Sequence, residues 1–251
     1  MRNKYLPKLL FLSILFNVIL VLVIYQKTIP KSQTANISKS TATAQNTEAD
    51  KTIFEEINPS AGYEINATYG DLGPKMIASG VIDINKFKPT GYEDILTKGS
   101  AQKIKITTEN SYFLLNFFWA VGLNNKSLIL TSGDMVKYGG EKELGNFAST
   151  GGWTIAHGNA MSFYSKANLI PLTSQQEELV QTVATNIYRP CCNNPTSFPD
   201  CNHGMALLGV IELMAANGAN QDQIYEAAKY FNAFWFPNNY YDLANYFKSK
   251  E

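Results

Sequence analysis

The feature that most constrains this chain is an apolar run near its N-terminus, from Leu9 to Tyr25, with only two polar interruptions. At 1.5 Å per residue, a helix of this length spans about 25 Å, slightly less than the ~30 Å hydrocarbon core of a bilayer. Lys8 and Lys27 flank the run and can extend it, because lysine side chains reach toward the headgroups. Residues 1–27 are therefore predicted to form a transmembrane signal anchor.

A cleaved signal peptide is the main alternative to this anchor. Its apolar region is usually shorter, and a cleavage site with small residues follows it closely. Residues 26–31 make a poor site, and the Ala-Thr-Ala pattern at 42–44 lies far beyond the run. The sequence therefore favours an uncleaved anchor. Arg2, Lys4 and Lys8 precede the span, so the N-terminus is predicted to be cytoplasmic and the rest of the chain extracytoplasmic.

The composition changes after the apolar run. Residues 28–51 are rich in Ser, Thr, Ala, Asn and Gln, with almost no large apolar side chains. Such a segment cannot bury enough surface to offset its ordering entropy, so we predict a flexible Ser/Thr-rich tether. The following residues, 52–251, are numerous enough for one globular domain with a sizeable core.

The charge distribution bears on the partners of this domain. The chain has 21 basic and 21 acidic residues, and residues 1–50 hold six of the bases and two of the acids. The remainder therefore carries 15 bases and 19 acids, a net charge of −4. A mildly acidic domain without a basic run lacks the positive surface that nucleic-acid binding requires. The membrane is the one partner that the sequence predicts, through the N-terminal helix.

Two capping signatures mark helix starts in the C-terminal part of the chain. Thr173 is followed three residues later by Gln176, and Asn220 is followed by Gln223. In a capping box of this kind, each side chain satisfies a backbone N–H of the other residue. Both signatures precede residues with helical apolar spacing, so each predicts a helix.

Other local signals complete the secondary-structure prediction. Thr108 is a candidate cap for an apolar helix, while Pro190 and Pro237 are expected to end helices. Alternation at residues 104–106 suggests one short strand. The predicted helices cover residues 109–121, 173–189, 204–216, 220–235 and 240–247. The predicted fold is mostly α, with long loops.

The residues with the most chemical information lie in a proline-rich loop at 189–203. All three cysteines and one of the two histidines fall within thirteen residues there, with the spacing Cys-Cys-x8-Cys-x-His. Three thiolates and one imidazole form a ligand set that zinc takes tetrahedrally, and copper(I) or an iron–sulfur cluster also accepts soft thiolates. The predicted metal ligands are Cys191, Cys192, Cys201 and His203.

Neighbouring residues extend this hypothesis. Asp200, Asn193 and Asn194 are expected to support the ligands by hydrogen bonds. Met205 is a further soft ligand candidate, and His157 is a candidate for reaching the loop from elsewhere in the fold. The ion would be structural, or it would be handled in metal sensing or delivery.

Two other interpretations of the cysteines remain open. Outside the cytoplasm, Cys201 could form a disulfide with Cys191 or Cys192. This bond would stabilise the folded protein by about 2–3 kcal/mol and would leave the third cysteine as a free thiol. The chain would then be a tethered interaction module. Alternatively, Arg189 and the start of the next helix could lower a thiol pKa, as in a thiol redox enzyme. No catalytic motif occurs, so the sequence leaves enzymatic activity open.

Part of the loop resembles the CDGSH-type iron–sulfur proteins. In that family the last cysteine follows the preceding one by nine positions, with a proline two before it, as Cys192, Pro199 and Cys201 do here. Cys191 is adjacent to Cys192 rather than one residue apart, and His203 follows Cys201 by two positions rather than four. The resemblance covers about a dozen residues and implies only that an iron–sulfur centre belongs among the metal options.

Overall fold

Helices dominate the structure, a computed structural model that describes residues 51–250. These described residues belong to one compact unit. Residues 51–57 are helical. The ten helices that follow are α1 (Leu72–Ser79), α2 (Glu93–Lys98), α3 (Ser111–Asn124), α4 (Leu128–Ser132), α5 (Asp134–Gly139), α6 (Ala148–Gly151), α7 (Ser174–Asn186), α8 (Asn202–Ala216), α9 (Gln221–Trp235) and α10 (Pro237–Lys248). Two short 3-10 helices lie at Glu141–Asn146 and Ala160–Ser162. The predicted mostly-α fold is confirmed.

The centre of the domain is the contact between α3 and α8, both of which are almost entirely apolar and buried. Gly122 and Gly209 allow the two backbones to touch. A Cβ atom on Gly122 would lie 2.0 Å from the carbonyl oxygen of Met205, and one on Gly209 would lie 2.7 Å from that of Phe118. Only glycine permits this approach, which fixes the position of α8 against the core.

A two-stranded antiparallel sheet packs against this core. β1 (Tyr63–Gly70) pairs with β2 (Ser100–Ile106), and Tyr63 lies opposite Ile106. The burial of β1 alternates, with Ile65, Ala67 and Tyr69 facing inward. The strand predicted at 104–106 is therefore part of a longer strand, and no sequence pattern had indicated its partner, β1.

The helix caps test the local predictions. Both capping boxes are present, at Thr173 for α7 and at Asn220 for α9. The prediction for α3 is wrong in detail, because the helix begins after Asn110 rather than Thr108. Pro237 follows the end of α9, as predicted, but it is also the first residue of α10. A first-turn position suits proline, since its missing N–H has no partner there anyway.

The membrane prediction concerns another part of the chain. Within residues 51–250, no helix combines the length and the apolarity that a bilayer crossing requires. The predicted anchor at 1–27 and nearly all of the predicted tether lie outside the described residues.

Candidate metal centre

The cysteine loop connects α7 to α8 and folds back on itself. The backbone N–H of Arg189 donates to the carbonyl of Asn194 at 3.2 Å, and that of Asn193 donates to the carbonyl of Arg189 at 2.9 Å. A bridge between Tyr188 and Pro195 closes the turn. Asn193 has a φ of 56°, a left-handed conformation that asparagine tolerates better than most residues. The two cysteines after Pro190 are thereby turned toward the start of α8.

The fold places the four predicted ligands in two overlapping groups that share Cys201, and Cys192 and His203 belong to different groups. The Sγ atom of Cys191 lies 3.5 Å from that of Cys192 and 3.7 Å from that of Cys201. The ligand atoms of Cys191, Cys201 and His203 lie within 4.8 Å of one another, and so do those of Cys192, Asp200 and Cys201. A tetrahedral site with ~2.3 Å metal–sulfur bonds has sulfur–sulfur edges of about 3.8 Å. The observed thiol spacing therefore matches the edges of a tetrahedral centre.

The three thiols are free and differ in exposure. Cys191 and Cys192 are exposed, whereas Cys201 is half-buried. Cys201 is the N-cap residue of α8, and its Sγ accepts a hydrogen bond from the backbone N–H of Gly204 at 3.4 Å. This cap holds the Sγ of Cys201 at the start of α8, close to the other two thiols.

His203 occupies the first turn of α8 and faces two aromatic rings. Its ring centroid lies 4.3 Å from that of Phe236 and 5.8 Å from that of Trp235. Burial, followed by the positive charge of Arg189, lowers the pKa of His203 to about 4. The imidazole is therefore neutral near pH 7, which is the form that binds metals.

The side chain of Arg189 is fully buried and binds several groups of the loop. The guanidinium of Arg189 donates to the carbonyls of Pro195 at 2.8 Å and Phe198 at 3.0 Å. It also forms an ion pair with Asp200 and donates to the Sγ of Cys192 at 3.3 Å. One cation thus fixes two loop carbonyls, a carboxylate and a thiol in one arrangement.

Glycine is required where this arginine meets α8. A Cβ atom on Gly204 would lie 2.6 Å from the Cζ atom of Arg189. Gly204 therefore lets the guanidinium lie against the helix start, while its own N–H caps onto Cys201. The group that approaches α8 most closely at Gly204 is thus the side chain of Arg189.

The two adjacent cysteines have opposite acidities. Burial and the negative charge of Cys201 raise the pKa of Cys191 to about 12. Burial would also raise the pKa of Cys192, but a backbone hydrogen bond from Asn194, the hydrogen bond from Cys191 and the charge of Arg189 together lower it. Cys192 therefore carries the thiolate first, and the Cys191 proton leaves when a cation takes its place.

Asp200 both supports the loop by hydrogen bonds and lies among the candidate ligands. As predicted, it forms supporting hydrogen bonds, because its carboxylate accepts from Arg189 and from the Nδ2 of Asn194 at 2.9 Å. Its ligand atom also lies within 4.8 Å of those of Cys192 and Cys201, so it joins the candidate ligands. The signal in the sequence was its position directly before a cysteine.

Of the two additional ligand candidates, His157 does not join the loop. Its Nδ1 lies 3.3 Å from the Oδ2 of Asp83, and no ligand group found within residues 51–250 contains it together with a cysteine. The expectation for His157 is therefore wrong, because its pairing with Asp83 depends on the tertiary fold. Met205 is fully buried among the apolar side chains of the core.

Comparison of the chain with protein-family models, with curated proteins and with solved structures finds no match. The function therefore has to be argued from the chemistry of the centre. On ligand type and spacing, the cluster of Cys191, Cys192, Cys201, His203 and Asp200 could bind a metal.

Proposed function

We propose that this chain is a membrane-anchored, extracytoplasmic metal-binding protein whose centre consists of Cys191, Cys192, Cys201 and His203. The observation that carries the proposal is the convergence of three thiols with the neutral imidazole of His203 and the carboxylate of Asp200, in two groups that share Cys201. The sulfur–sulfur distances of 3.5 and 3.7 Å fit the edges of a coordination tetrahedron, although uncoordinated thiols in contact lie equally far apart. The anchor at 1–27 and the tether at 28–51 belong to the proposal through their sequence alone.

The charge balance supports a soft cation at this position. Three thiolates around a divalent ion leave one net negative charge, and the buried guanidinium of Arg189 lies beside them to compensate it. Zinc, copper(I) and an iron–sulfur cluster all suit such ligands. Two of the three cysteines are exposed, so an ion bound by them would remain accessible to solvent and to the ligands of a partner. The exposure favours an ion that is sensed or delivered over one that only holds the fold together.

The first test is the metal content of the full chain. The protein is extracted from membranes in detergent, without chelator or reductant, and is analysed for metals and for free thiols on the same sample. We expect about one metal ion or cluster per chain, and thiols that react only after chelation. A metal-free protein with one reactive thiol would contradict the proposal and favour a disulfide-stapled interaction module.

The histidines provide a matched pair of variants. His203→Ala removes a direct ligand, and its metal affinity should fall at least ~100-fold, because loss of a mere supporting hydrogen bond already costs 10–100-fold. His157→Ala should bind metal as the wild type does, since His157 lies against Asp83 instead. Competition with a chromophoric chelator measures both affinities. Wild-type affinity in His203→Ala would show that the ligand assignment is wrong.

A second candidate function is supported by the lowered pKa of Cys192 beside a protonated Cys191. In thiol–disulfide exchange, the Cys192 thiolate would attack a disulfide substrate, form a mixed disulfide and release one substrate thiolate. The sulfur of Cys191, once deprotonated, would then attack Cys192 and release the second thiolate, leaving the protein oxidised and the substrate reduced. This candidate predicts one cysteine with fast alkylation near neutral pH in the reduced, metal-free protein. Uniformly slow alkylation would exclude it.

A further inference from the structure

The last helix, α10, has an exposed apolar stripe. Leu243, Tyr246 and Phe247 are 47%, 56% and 59% exposed, and their spacing of three and four residues puts them on one side of the helix. No residue of α10 is buried. The helix therefore rests on the domain by part of its surface and presents large apolar side chains to the exterior.

The side of α10 opposite the stripe contacts the segment where the described part of the chain begins. Phe54, in the helical residues 51–57, is 39% exposed, and its ring stacks on that of Tyr241 with centroids 5.0 Å apart. The first described residues therefore pack on α10, and the predicted membrane anchor precedes them in the sequence. The stripe itself faces away from this contact.

Basic residues border the stripe at the C-terminal end of α10. Lys248 is in its last turn, and the Nζ of Lys250 lies 5.4 Å from the ring centroid of Tyr246. Asp242 is the one acidic residue of the helix. Aromatic and aliphatic side chains on one side, with lysines beside them, are typical of helices that lie in the interface of a bilayer.

The size of the stripe argues against a second protein as its occupant. Three side chains that are about half exposed offer on the order of 300 Å² of apolar surface, since a buried aromatic residue covers about 150–250 Å². A stable interface needs about 800 Å² on each partner. A bilayer requires less, because the anchor holds the domain at the membrane and makes a weak contact effectively intramolecular.

We infer that α10 lies on the extracytoplasmic surface of the bilayer, with Leu243, Tyr246 and Phe247 inserted at the boundary between headgroups and acyl chains. The inference rests on the membrane anchor of the proposed function. It adds a second, reversible contact that orients the domain. The N-terminal end of α10 follows Phe236, which contacts His203, so this orientation also directs the metal centre relative to the membrane.

The test uses the full chain in nanodiscs of phosphatidylcholine and phosphatidylglycerol. The variant Phe247→p-benzoylphenylalanine carries a photocrosslinker in the stripe, and Tyr138→p-benzoylphenylalanine is the control, because Tyr138 is an aromatic residue 79% exposed outside it. We expect position 247 to give at least five-fold more lipid adduct than position 138. Both positions are exposed, so neither substitution disturbs the core.

Each other outcome overturns the inference. Equal lipid adduct at both positions means that α10 has no special contact with the bilayer. Adducts from position 247 to a second copy of the chain identify a protein interface instead. Alkaline carbonate treatment of membranes separates these results from failure of the anchor. If the chain stays in the membrane but position 247 gives no lipid adduct, only the α10 contact is overturned. If alkaline carbonate releases the chain from the membrane, the anchor is overturned and, with it, this inference.

Discussion

Two polar clusters, one just before the start of α8 and one in its middle, differ in whether a buried carboxyl group has a cation beside it. At its N-terminal end, Asp200 is ion-paired to the fully buried Arg189. In its middle, Glu212 is completely buried without any cation. The Oε2 of Glu212 accepts from the Nδ2 of Asn125 at 2.9 Å, and its Oε1 has no hydrogen-bond partner.

The pKa of Glu212 reflects this difference. Burial raises it to about 8, although the hydrogen bond from Asn125 lowers it, and the negative charge of Glu177 raises it further. Glu212 therefore remains protonated in the folded protein near neutral pH. Of these two clusters, the one with an opposite charge beside it keeps its buried charge, whereas Glu212 keeps its proton.

Replacing Arg189 should have the largest effect on stability, because it removes the cation from one of the two clusters. Arg189→Met leaves the carbonyls of Pro195 and Phe198 and the carboxylate of Asp200 without their donor. We expect the free energy of unfolding to fall by about 3–5 kcal/mol, as when one partner of a buried ion pair is lost. Urea unfolding of the metal-free full chain in detergent, followed by tryptophan fluorescence, measures it.

A double-mutant cycle with Asp200→Asn isolates the ion pair. The cost of Arg189→Met should be smaller when residue 200 is already neutral, because less charge is then left unpaired. A loss below about 1 kcal/mol in the single variant would contradict the structural role of Arg189. Equal costs in both backgrounds would show that the arginine acts through the carbonyls alone.

Glu212→Gln should change how the free energy of unfolding depends on pH, because it removes the buried carboxyl group of the second cluster. The folded protein keeps the Glu212 proton up to a pKa of about 8, whereas the unfolded chain loses it near the ordinary value of 4.5. Glu212 therefore makes the wild type less stable as pH rises between these values, by about 1.4 kcal/mol per pH unit. Glutamine removes this contribution. Relative to wild type, the variant should gain about 3 kcal/mol in unfolding free energy between pH 5 and pH 7, measured by urea unfolding. A difference that is constant with pH would contradict the buried proton.

Cys192→Ser should have the smallest effect on stability and a large one on metal binding. Arg189 keeps its bonds to Phe198 and Asp200 when the thiol is lost, so the metal-free protein should lose no more than ~1 kcal/mol. Metal affinity, measured by chelator competition, should fall at least ~100-fold. A large loss of stability without loss of affinity would make Cys192 a structural residue rather than a ligand.

Local signals in the sequence predicted much of this structure. The capping boxes at Thr173 and Asn220 are correct, because both partners lie within one helical turn. The meeting of Cys191, Cys192, Cys201 and His203 could also be predicted, since one short proline-rich loop contains them all. The misplaced start of α3 shows the limit of this approach, because neighbouring polar residues compete for the same cap.

The remaining features depend on contacts between distant residues. Asn125 and Glu212 are 87 positions apart, and the packing of α3 on α8 alone brings them together. The pairing of His157 with Asp83 likewise depends on the tertiary fold. No pattern in the sequence marks Arg189 as buried, because arginine is usually exposed and its burial here needs the space left by Gly204.

The cap at Cys201 has a consequence for when the protein acquires its metal. Many small metal-binding domains are unfolded until the ion arrives. Here the Sγ of Cys201 caps α8 and the guanidinium of Arg189 holds the loop, and neither of these contacts involves an ion. A chain anchored as proposed would then be able to cross the membrane unfolded, fold on the far side, and be loaded there. Under that proposal, its metal would be selected by the ions available at its destination rather than by those of the compartment in which it was synthesised.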